Sequence, residues 1–414
     1  MRCILGLDDT DHSEVGCTTA NMDELLTQLE NDIQATVIER RLIRLWPFAE
    51  RRTRGNGALG AIIEVKEDQI NNVESICRLW FSELIDTISN YPDSVFEPSP
   101  CLVISFGPVP EEWYWEAVRG YVSPDRRLEQ AFSNDCIVLL SDTNFGVVGA
   151  CAAVSWIPES SASWELIAWR EDSKIGSPRM VSKSAVYDLE RSHNETFLNR
   201  DPTKDKGMIA PRTPCPVLYG IRGSSISAVH NAHCWLQARD DVEKCHSFAV
   251  HLTNQLSDDH IESYLSGTVT SEVTVTQGGH AYLSVFSGNT SERLVAFSEG
   301  GPVNDLLRKL APGDRISWVG LKSPDGAIHL ERIRIDDASP RITGRPVCCS
   351  KTMRSAGRNQ ELRCLSCGRT EQKSWHCIDL VITNVDSRSG WIEPTPSNRR
   401  HLSKPLSLGT PGSI

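Results

Sequence analysis

No stretch of this 414-residue sequence approaches the 18 or more apolar residues that a transmembrane helix requires. The first eleven residues, MRCILGLDDTD, reach three aspartates after a short apolar run, so we do not expect a secretory signal there. Internal repeats and long low-complexity tracts are lacking as well. These absences argue against a helical membrane protein and a repeat protein, and the length favours a globular chain of roughly two to four domains.

The sequence has 14 cysteines but lacks the context of a disulfide-rich secreted protein. Cys77, Cys136 and Cys151 lie inside apolar runs, where free buried thiols are usually found. We therefore expect reduced cysteines and a cytosolic location.

The sequence also lacks the net positive charge that is typical of nucleic-acid-binding proteins, because its formal charge is -11. The charge is unevenly distributed, however. Residues 340–414 contain 12 lysines and arginines against 5 aspartates and glutamates, a local charge of +7, which leaves -18 on residues 1–339. Such asymmetry predicts an acidic catalytic body followed by a basic C-terminal arm.

The first part of the chain alternates between strand-like and helical patterns. An apolar strand is predicted at residues 2–7, and residues 22–33 and 73–85 repeat apolar side chains at helical spacing. Further strand-like runs cover residues 101–106, 136–140 and 164–169. This order predicts an α/β or α+β body.

From about residue 267 the pattern changes to short β-runs separated by turns that contain glycine and proline. The runs are VTSEVTV, AYLSVF, RLVAF, RISWVG and AIHLERIRI, and a helical stretch from Val303 to Leu310 lies between the third and the fourth. Five strands with a helix in this place follow the order of an OB barrel. Another small barrel or sandwich has a similar pattern.

An aspartate cluster stands where the first predicted strand ends. Asp8, Asp9 and Asp11 are oxygen ligands suited to magnesium, which usually accompanies substrate phosphates. Thr18 and Thr19 follow at the predicted start of a helix, where free backbone N–H groups favour phosphate. The alternative is an aspartate-rich turn followed by a threonine cap. Three like charges repel one another unless a cation lies among them, so the cluster favours a metal site.

An arginine- and glycine-rich stretch supplies a second candidate, Thr53-Arg54-Gly55-Asn56-Gly57. One interpretation is a phosphate-facing loop in which the glycines let the backbone approach and Arg54 makes forked contacts. The other is a solvated basic loop with an Asn-Gly turn.

A third candidate is an apolar strand that leads into a glycine-flanked arginine, Tyr219-Gly220-Ile221-Arg222-Gly223. On physical grounds alone this pattern favours a plain strand-to-turn junction.

A cysteine cluster follows the β-rich segment. Cys364 and Cys367 have the spacing of a zinc knuckle, and the gap of 14 residues back to Cys349 suits a zinc ribbon. Cys348 and Cys349 are adjacent instead of being spaced by two residues. The pattern predicts a zinc site whose fourth ligand is Cys348, His376 or Cys377.

The basic end of the chain carries Arg399 and Arg400 shortly after Trp375 and Trp391, two tryptophans that look exposed. Basic residues with aromatic neighbours suit single-stranded RNA, through phosphate contact and base stacking. A solvated, partly disordered tail is the alternative.

In this order, these pieces resemble the archaeal agmatidine synthetases, also called 2-agmatinylcytidine synthetases, which modify the minor isoleucine tRNA. The resemblance covers nearly the whole chain. It is carried by GLDDTD with CTT, TRGNGA, WELIAWR, GIRG, TNQ, KTMRSAG and the ending from Arg399 to Leu406.

The resemblance implies a kinase-like N-terminal domain (1–135), a ferredoxin-like domain (136–260), an OB fold (261–340), a zinc ribbon (341–378) and a basic tail (379–414). It also implies that ATP phosphorylates the carbon-2 oxygen of the wobble cytidine, in the CAU anticodon, and that agmatine then displaces this phosphate.

Site roles follow from the resemblance in the same way. Asp8, Asp9 and Asp11 would hold magnesium and ATP, and Thr18 would be a self-phosphorylated threonine. Residues 53–57 would line the nucleotide site, and residues 219–223 would lie near agmatine.

The chain departs from the family pattern at Cys348-Cys349, where a Cys-x-x-Cys pair is expected, and at Cys215, where an acidic residue is expected. Two other readings of the whole chain are a non-catalytic nucleic-acid-binding protein and an RNA kinase without an amine step. Clustered carboxylates that repel phosphate disfavour the pure binder.

Overall fold

A computed structural model describes residues 1–12, 16–52, 55–91 and 96–412. The chain divides into two compact units, Met1–Glu262 with Thr395–Pro405, and Ser263–Pro394 with Leu406–Ile414. Both units contain helices and strands, so the predicted multidomain α+β class is confirmed. Within the described ranges, no helix combines the length and apolarity needed to cross a membrane.

The first unit is built on a nine-stranded mixed sheet with the strand order β5-β4-β1-β3-β2-β11-β6-β10-β7, while β8 and β9 pair only with each other. The strands of this unit are β1 Arg2–Asp8, β2 Thr36–Arg44, β3 Gly57–Glu64, β4 Cys101–Ser105, β5 Ile137–Leu140, β6 Ser163–Trp169, β7 Thr196–Phe197, β8 Arg200–Asp201, β9 Lys206–Gly207, β10 Val217–Gly223 and β11 Ser247–Thr253. Strands β2 and β11 pair in parallel near the middle of the sheet.

Helices cover both faces of this sheet. They are α1 Thr18–Ile33, α2 Ile70–Ile88, α3 Glu112–Arg119, α4 Pro124–Ser133, α5 Val147–Ser155, α6 Lys183–Ser192 and α7 Ile226–Gln237. Successive residues of a strand point to opposite faces. On β4, Leu102 and Ile104 therefore pack in the core with α1 and α2, whereas Cys101 and Val103 pack with α5.

The predicted strands and helices of the N-terminal part are confirmed, with small shifts at their ends. The free, buried state predicted for Cys77, Cys136 and Cys151 is confirmed as well. The prediction of a turn at Gly220–Gly223 was wrong, because β10 continues through Gly223 and pairs there with both β6 and β7.

The second unit contains a seven-stranded sheet in which β12 pairs with both β16 and β14, so that the longer strands close into a ring. Its strands are β12 Leu265–Val269, β13 Thr274–Val275, β14 Ala281–Ser287, β15 Thr290–Ala296, β16 Arg315–Lys322, β17 Ile328–Asp337 and β25 Trp391–Ile392. The predicted run VTSEVTV is not one strand but is split between the end of β12 and β13. The predicted helix is present as α8, Pro302–Leu307.

Short strand pairs follow the seven-stranded sheet along the chain. They are β18 Arg341–Gly344 with β24 His376–Ile378, β19 Val347–Cys348 with β20 Lys351–Thr352, and β21 Arg354–Ser355, β22 Leu362–Arg363 and β23 Thr370–Glu371 as a three-stranded sheet. Their core is small and contains Met353, Leu362 and Cys364. A core of this size needs further stabilisation, such as a metal.

The basic end of the chain is not a free tail. Segment 395–405 belongs to the first unit, where Asp201 accepts a hydrogen bond from the Ser397 backbone N–H at 3.0 Å and Asp258 from the Lys404 N–H at 2.7 Å. The predicted exposure of Trp391 was wrong, because β25 pairs with β17 and only 1% of this residue is exposed. Trp375 is exposed as predicted.

Candidate active site and cysteine cluster

The acidic turn lies where β1 ends and α1 begins. Asp9 has a positive φ of 57°, and its Oδ2 accepts a hydrogen bond from the Ser99 backbone N–H at 3.1 Å. Asp11 Oδ1 accepts one from the Thr18 hydroxyl at 3.0 Å. Because Thr18 is the first residue of α1, the helix N-terminus and the acidic turn are joined directly.

The pKa values of two of these carboxyl groups, those of Asp8 and Asp9, are strongly raised. Burial, reinforced by repulsion from Asp9, raises the pKa of Asp8 well above its usual value. Burial and repulsion from Asp11 raise the pKa of Asp9 to about 7, against the opposing effect of Arg51. A cation beside the turn would favour the ionised forms, as the sequence pattern indicates.

Gly149 of α5 makes room for Asp8. A Cβ at this position would overlap the Asp8 carboxylate, with its Cγ only 2.6 Å away, and would approach Leu45 to 2.8 Å. Sequence reasoning missed Gly149, since a glycine in a short apolar helix carries no signal of its partner.

The three aspartates open on a cavity of about 240 Å³, which we call the acidic cavity. Its other walls include Trp46, Arg51, Arg52, Tyr121, Phe145 and Gly149. The aspartate oxygens do not all converge on one point: in the part of the chain that the structure describes, only the cysteine cluster below has at least three ligand atoms within 4.8 Å of one another. Magnesium usually takes one or two carboxylates and completes its shell with phosphates and water, so the spread does not conflict with the predicted site.

A larger cavity of about 460 Å³, the central cavity, adjoins the acidic cavity. Asp11 and Gly57 line both cavities. The central cavity is also lined by Thr18, Thr19, Glu165, Gly220, Arg222 and His401. Of these six residues, His401 also lines a third cavity, which is described below. A ligand in the central cavity would therefore meet the side of the acidic turn that carries Thr18.

The predicted glycine-rich loop is described only in part, since Thr53 and Arg54 lie outside the described residues. Gly55 has a φ of +89°, and Asn56 donates a side-chain hydrogen bond to the Trp46 carbonyl at 2.7 Å. Gly57 begins β3. Asn56 lines the acidic cavity, and Gly57 lines both larger cavities.

The residues predicted near the substrate on β10 are divided between the two faces of the sheet. Gly220 and Arg222 line the central cavity. Tyr219 is fully buried towards α7, where its hydroxyl is hydrogen-bonded to His233 Nδ1 at 2.9 Å and accepts from Gln237 at 2.8 Å. Gly223 packs against Val229 and Ala228 of α7 and does not line the cavity.

Cys215, where an acidic residue is expected, is buried and lines the central cavity. Arg179 lies beside it and donates to the Cys215 carbonyl at 2.8 Å and to its sulfur at 3.4 Å.

A third cavity of about 160 Å³ lies on the other side of Arg44 and His401, which line it together with Arg52, His260 and Arg400. The Arg400 guanidinium lies 4.6 Å from the centre of the Phe48 ring. Arg400 is therefore part of a basic wall of the first unit. Arg399 precedes it in the same docked segment.

Sequence reasoning assigned no role to Glu165, Asn254, Gln255 or His401. In the structure, the first three of these residues contact Arg44 or Arg222. Asn254 accepts from the Arg44 backbone N–H at 2.7 Å and donates to the Arg44 carbonyl at 2.9 Å. Gln255 donates to Glu165 and accepts from Arg222 Nε at 3.0 Å.

The second unit brings Cys348, Cys349, Cys364 and Cys367 together, with all four sulfurs within 4.8 Å of one another. Cys349 and Ser350 have positive φ values of 49° and 59°, which turn the chain so that two adjacent cysteines face the same point. Backbone N–H groups of Cys367 and Ser366 lower the pKa of Cys364 to about 6, which favours its thiolate. Cys377 lies outside this cluster and donates to the Trp375 carbonyl.

The fold and these cavities define a multidomain α+β enzyme with a half-buried acidic turn at a helix N-terminus. The TiaS TCKD domain model matches residues 4–137, and the TiaS FLD domain model matches residues 144–260. The isoleucine tRNA 2-agmatinylcytidine synthetase TiaS of Archaeoglobus fulgidus is 30% identical, over 98% of this chain and 97% of that protein. The protein of the same name from Methanosarcina mazei is 30% identical, over 97% and 96%.

Solved structures agree with these matches. The chain resembles a crystal structure of TiaS in complex with its isoleucine tRNA and ATP, with a TM-score of 0.84 at 29% identity, over 98% of this chain and 97% of that chain. It resembles the complex of TiaS with the same tRNA, AMPCPP and agmatine with a TM-score of 0.80 at 28% identity, with the same coverage. The chain belongs to the TiaS family of isoleucine tRNA 2-agmatinylcytidine synthetases.

Proposed function

We propose that this chain is an ATP-dependent ligase that joins agmatine to carbon 2 of the wobble cytidine of the minor isoleucine tRNA. Relatives of this name match over nearly their full length, and similar structures contain that tRNA, ATP or its analogue, and agmatine. These names favour the ligase over the non-catalytic binder and over a kinase without an amine step.

The observation that carries the mechanism is the shared wall between the acidic and central cavities. Asp11 and Gly57 belong to both, and Thr18 donates to Asp11 from the central side. ATP bound at the acidic turn would present its phosphates towards the central cavity, where the flipped-out cytosine and the amine meet. Phosphoryl transfer needs mainly positioning and charge neutralisation, which suits this arrangement.

The side-chain roles follow from position. Asp8, Asp9 and Asp11 would hold magnesium, which supplies charge neutralisation on the ATP phosphates when bound. Thr18 would accept a phosphoryl group, and the loop at 53–57 would line the nucleotide. Gly220 and Arg222 would face the substrates, Tyr219 and Gly223 would support β10 from behind, and Arg399 and Arg400 would contact the RNA.

The domain assignments are proposals of the same kind: a kinase-like domain at 1–135, a ferredoxin-like domain at 136–260, an OB fold at 261–340, a zinc ribbon at 341–378 and a basic tail at 379–414. The closed ring of β12, β14, β15, β16 and β17 supports the OB fold. The four converging sulfurs support the ribbon, since zinc prefers four thiolates in structural sites.

Mass spectrometry of the wobble nucleoside tests the proposal. The chain is incubated with the minor isoleucine tRNA, magnesium, ATP and agmatine, and with mixtures that lack ATP or agmatine. We expect agmatidine only in the complete mixture. Unmodified cytidine in the complete mixture would refute the ligase, and a phosphorylated nucleoside there as the end product would identify an RNA kinase.

Cys364→Ser is expected to lower the bound zinc from about one ion per chain to a small fraction, because one of four thiolates is lost. Zinc is measured by atomic emission after dialysis against a weak chelator. Cys377→Ser is the matched control, since this exposed cysteine of the same segment lies outside the cluster. Equal zinc in the two variants would remove Cys364 from the site.

Replacing residues 341–378 by a short glycine-serine linker is expected to weaken RNA binding and to flatten its salt dependence. Each lost phosphate contact changes the slope by about 0.7 to 0.9. Arg341 pairs with Ile378, so the ends of the excised segment lie side by side and the linker spans them easily. Segment 395–405 must be kept because it belongs to the first unit. An unchanged slope would place residues 341–378 outside the RNA interface.

A further inference from the structure

Two arginines, one glutamate and one glutamine form a buried cluster on the wall of the central cavity. The Glu165 carboxylate lies 3.5 Å from Arg44 Nη2 and 3.3 Å from Arg222 Nε. Gln255 donates to Glu165 and accepts from Arg222. These residues come from β2, β6, β10 and the end of β11, four strands that are neighbours in the sheet.

Three motif glycines leave space for this cluster. A Cβ on Gly220 would lie 2.8 Å from Glu165 Oε1. A Cβ on Gly55 or Gly57 would lie 2.9 or 3.0 Å from Arg44 Nη1. A side chain at Gly220 would therefore crowd Glu165, and one at Gly55 or Gly57 would crowd Arg44.

The cluster carries two guanidinium groups against one carboxylate. The side chains of Arg44 and Arg222 are only 12% and 13% exposed, and that of Glu165 is 2% exposed. His401, which lines the same cavity, cannot offset this excess, because an imidazole is either neutral or positively charged. Among the described residues, the buried Nε of Arg44 has no hydrogen-bond partner. A buried excess of positive charge is unfavourable unless an anion binds beside it.

We propose that Arg44 and Arg222, held side by side by Glu165, bind the phosphate that the activated cytosine carries and then releases. This subsite rests on the proposed function. Planar guanidinium groups bind phosphate oxygens with paired hydrogen bonds. Glu165 is then a positioning residue, and the two arginines are the phosphate ligands.

The displacement step conserves atoms and electrons. The neutral amine nitrogen attacks carbon 2, a C–N bond forms, and the bond from carbon 2 to the former carbonyl oxygen breaks. Phosphate leaves with that oxygen and takes one amine proton. The arginines stabilise the negative charge that develops on the leaving oxygen. The positive cluster would repel the guanidinium end of agmatine, which must therefore point away from it.

The first test measures binding of inorganic phosphate to the full chain by calorimetry in magnesium-free buffer. Arg222→Met is expected to weaken this binding by about tenfold or more, since charge-assisted hydrogen bonds are lost. RNA affinity is expected to stay unchanged. Phosphate affinity equal to wild type would overturn the proposal. A parallel fall in RNA affinity would identify an RNA backbone phosphate as the ligand and would overturn the assignment to the leaving phosphate.

Glu165→Gln separates positioning from binding. It raises the charge of the cluster by one, so phosphate affinity is expected to hold or increase, while turnover falls by about tenfold or more because the arginines lose their anchor. Wild-type turnover, or a loss of phosphate affinity, would overturn the role of Glu165.

Glu243→Gln is the matched control. Glu243 is also a buried carboxylate and pairs with the buried Arg170 at 2.8 Å in the same unit, but it does not line the central cavity. We expect wild-type phosphate binding in this variant, and a change as large as in Arg222→Met would overturn the proposed site.

If wild-type protein makes no agmatidine yet binds phosphate through Arg222, the proposed function fails. If agmatidine forms without that binding, the phosphate subsite fails alone.

Discussion

Asp9→Asn protein is expected to turn over about 100-fold more slowly than wild type, or slower still, and to bind the isoleucine tRNA with unchanged affinity. Turnover is expected to fall because the negative charge of Asp9 would help to hold magnesium at the proposed ATP site. Asparagine keeps the size of the side chain and an oxygen that can accept from the Ser99 N–H. It also tolerates the positive φ of 57° at this position better than most residues. Only the negative charge is removed.

The comparison uses initial rates of agmatidine formation at saturating ATP, with RNA affinity measured separately by filter binding. Asp86→Asn, which removes an exposed carboxylate from α2, serves as the control and is expected to behave as wild type. Equal rates for Asp9→Asn and wild type would refute the role of the acidic turn in holding ATP and its cation.

Gly149→Ala is the second change with a large expected effect. Its Cβ would overlap the Asp8 carboxylate, so that either Asp8 or helix α5 must move. A displacement of about 1 Å in a catalytic group lowers rates by as much as about 100-fold. We expect a loss of this order in agmatidine formation, together with weaker ATP binding.

Gly107→Ala is the matched control, because nothing lies within 4 Å of a Cβ added there. Thermal unfolding of both variants separates a local shift from global unfolding. A Gly149→Ala protein that is folded and fully active would show that the position of Asp8 is not critical.

Much of the fold followed from periodicity. The long helices α1 and α2 repeat apolar residues at helical spacing and were predicted within a few residues. Strand β2 was missed because three of its nine residues are arginines, and a sequence pattern does not reveal that Arg41 is buried against the Trp156 carbonyl at 2.7 Å.

The acidic turn and the cysteine cluster were predictable because their residues are close together in the chain. Glu165 and Gln255 were not, since they are 90 residues apart and meet only through the pairing of strands. The different surroundings of Tyr219 and Arg222 were not predictable either, although the two residues lie three positions apart on one strand. Tyr219 contacts His233 of α7, whereas Arg222 lines the central cavity.

The packing of the basic end of the chain could not be predicted from its composition. Its arginines, serines and prolines are compatible with a solvated tail, yet Leu402 and Ser403 are buried and His401 Nδ1 lies 3.3 Å from Gln255 Oε1. Composition alone cannot show that Asp201 and Asp258, far away in sequence, accept backbone hydrogen bonds from this segment.

The claim that matters most is that the oxygen on carbon 2 of the cytosine becomes a phosphate oxygen and leaves with it. It is tested with isoleucine tRNA whose wobble cytidine carries ¹⁸O at that position, by mass spectrometry of the inorganic phosphate released during agmatidine formation. We predict one labelled phosphate for each agmatidine formed. Agmatidine formed with only unlabelled phosphate would contradict this account.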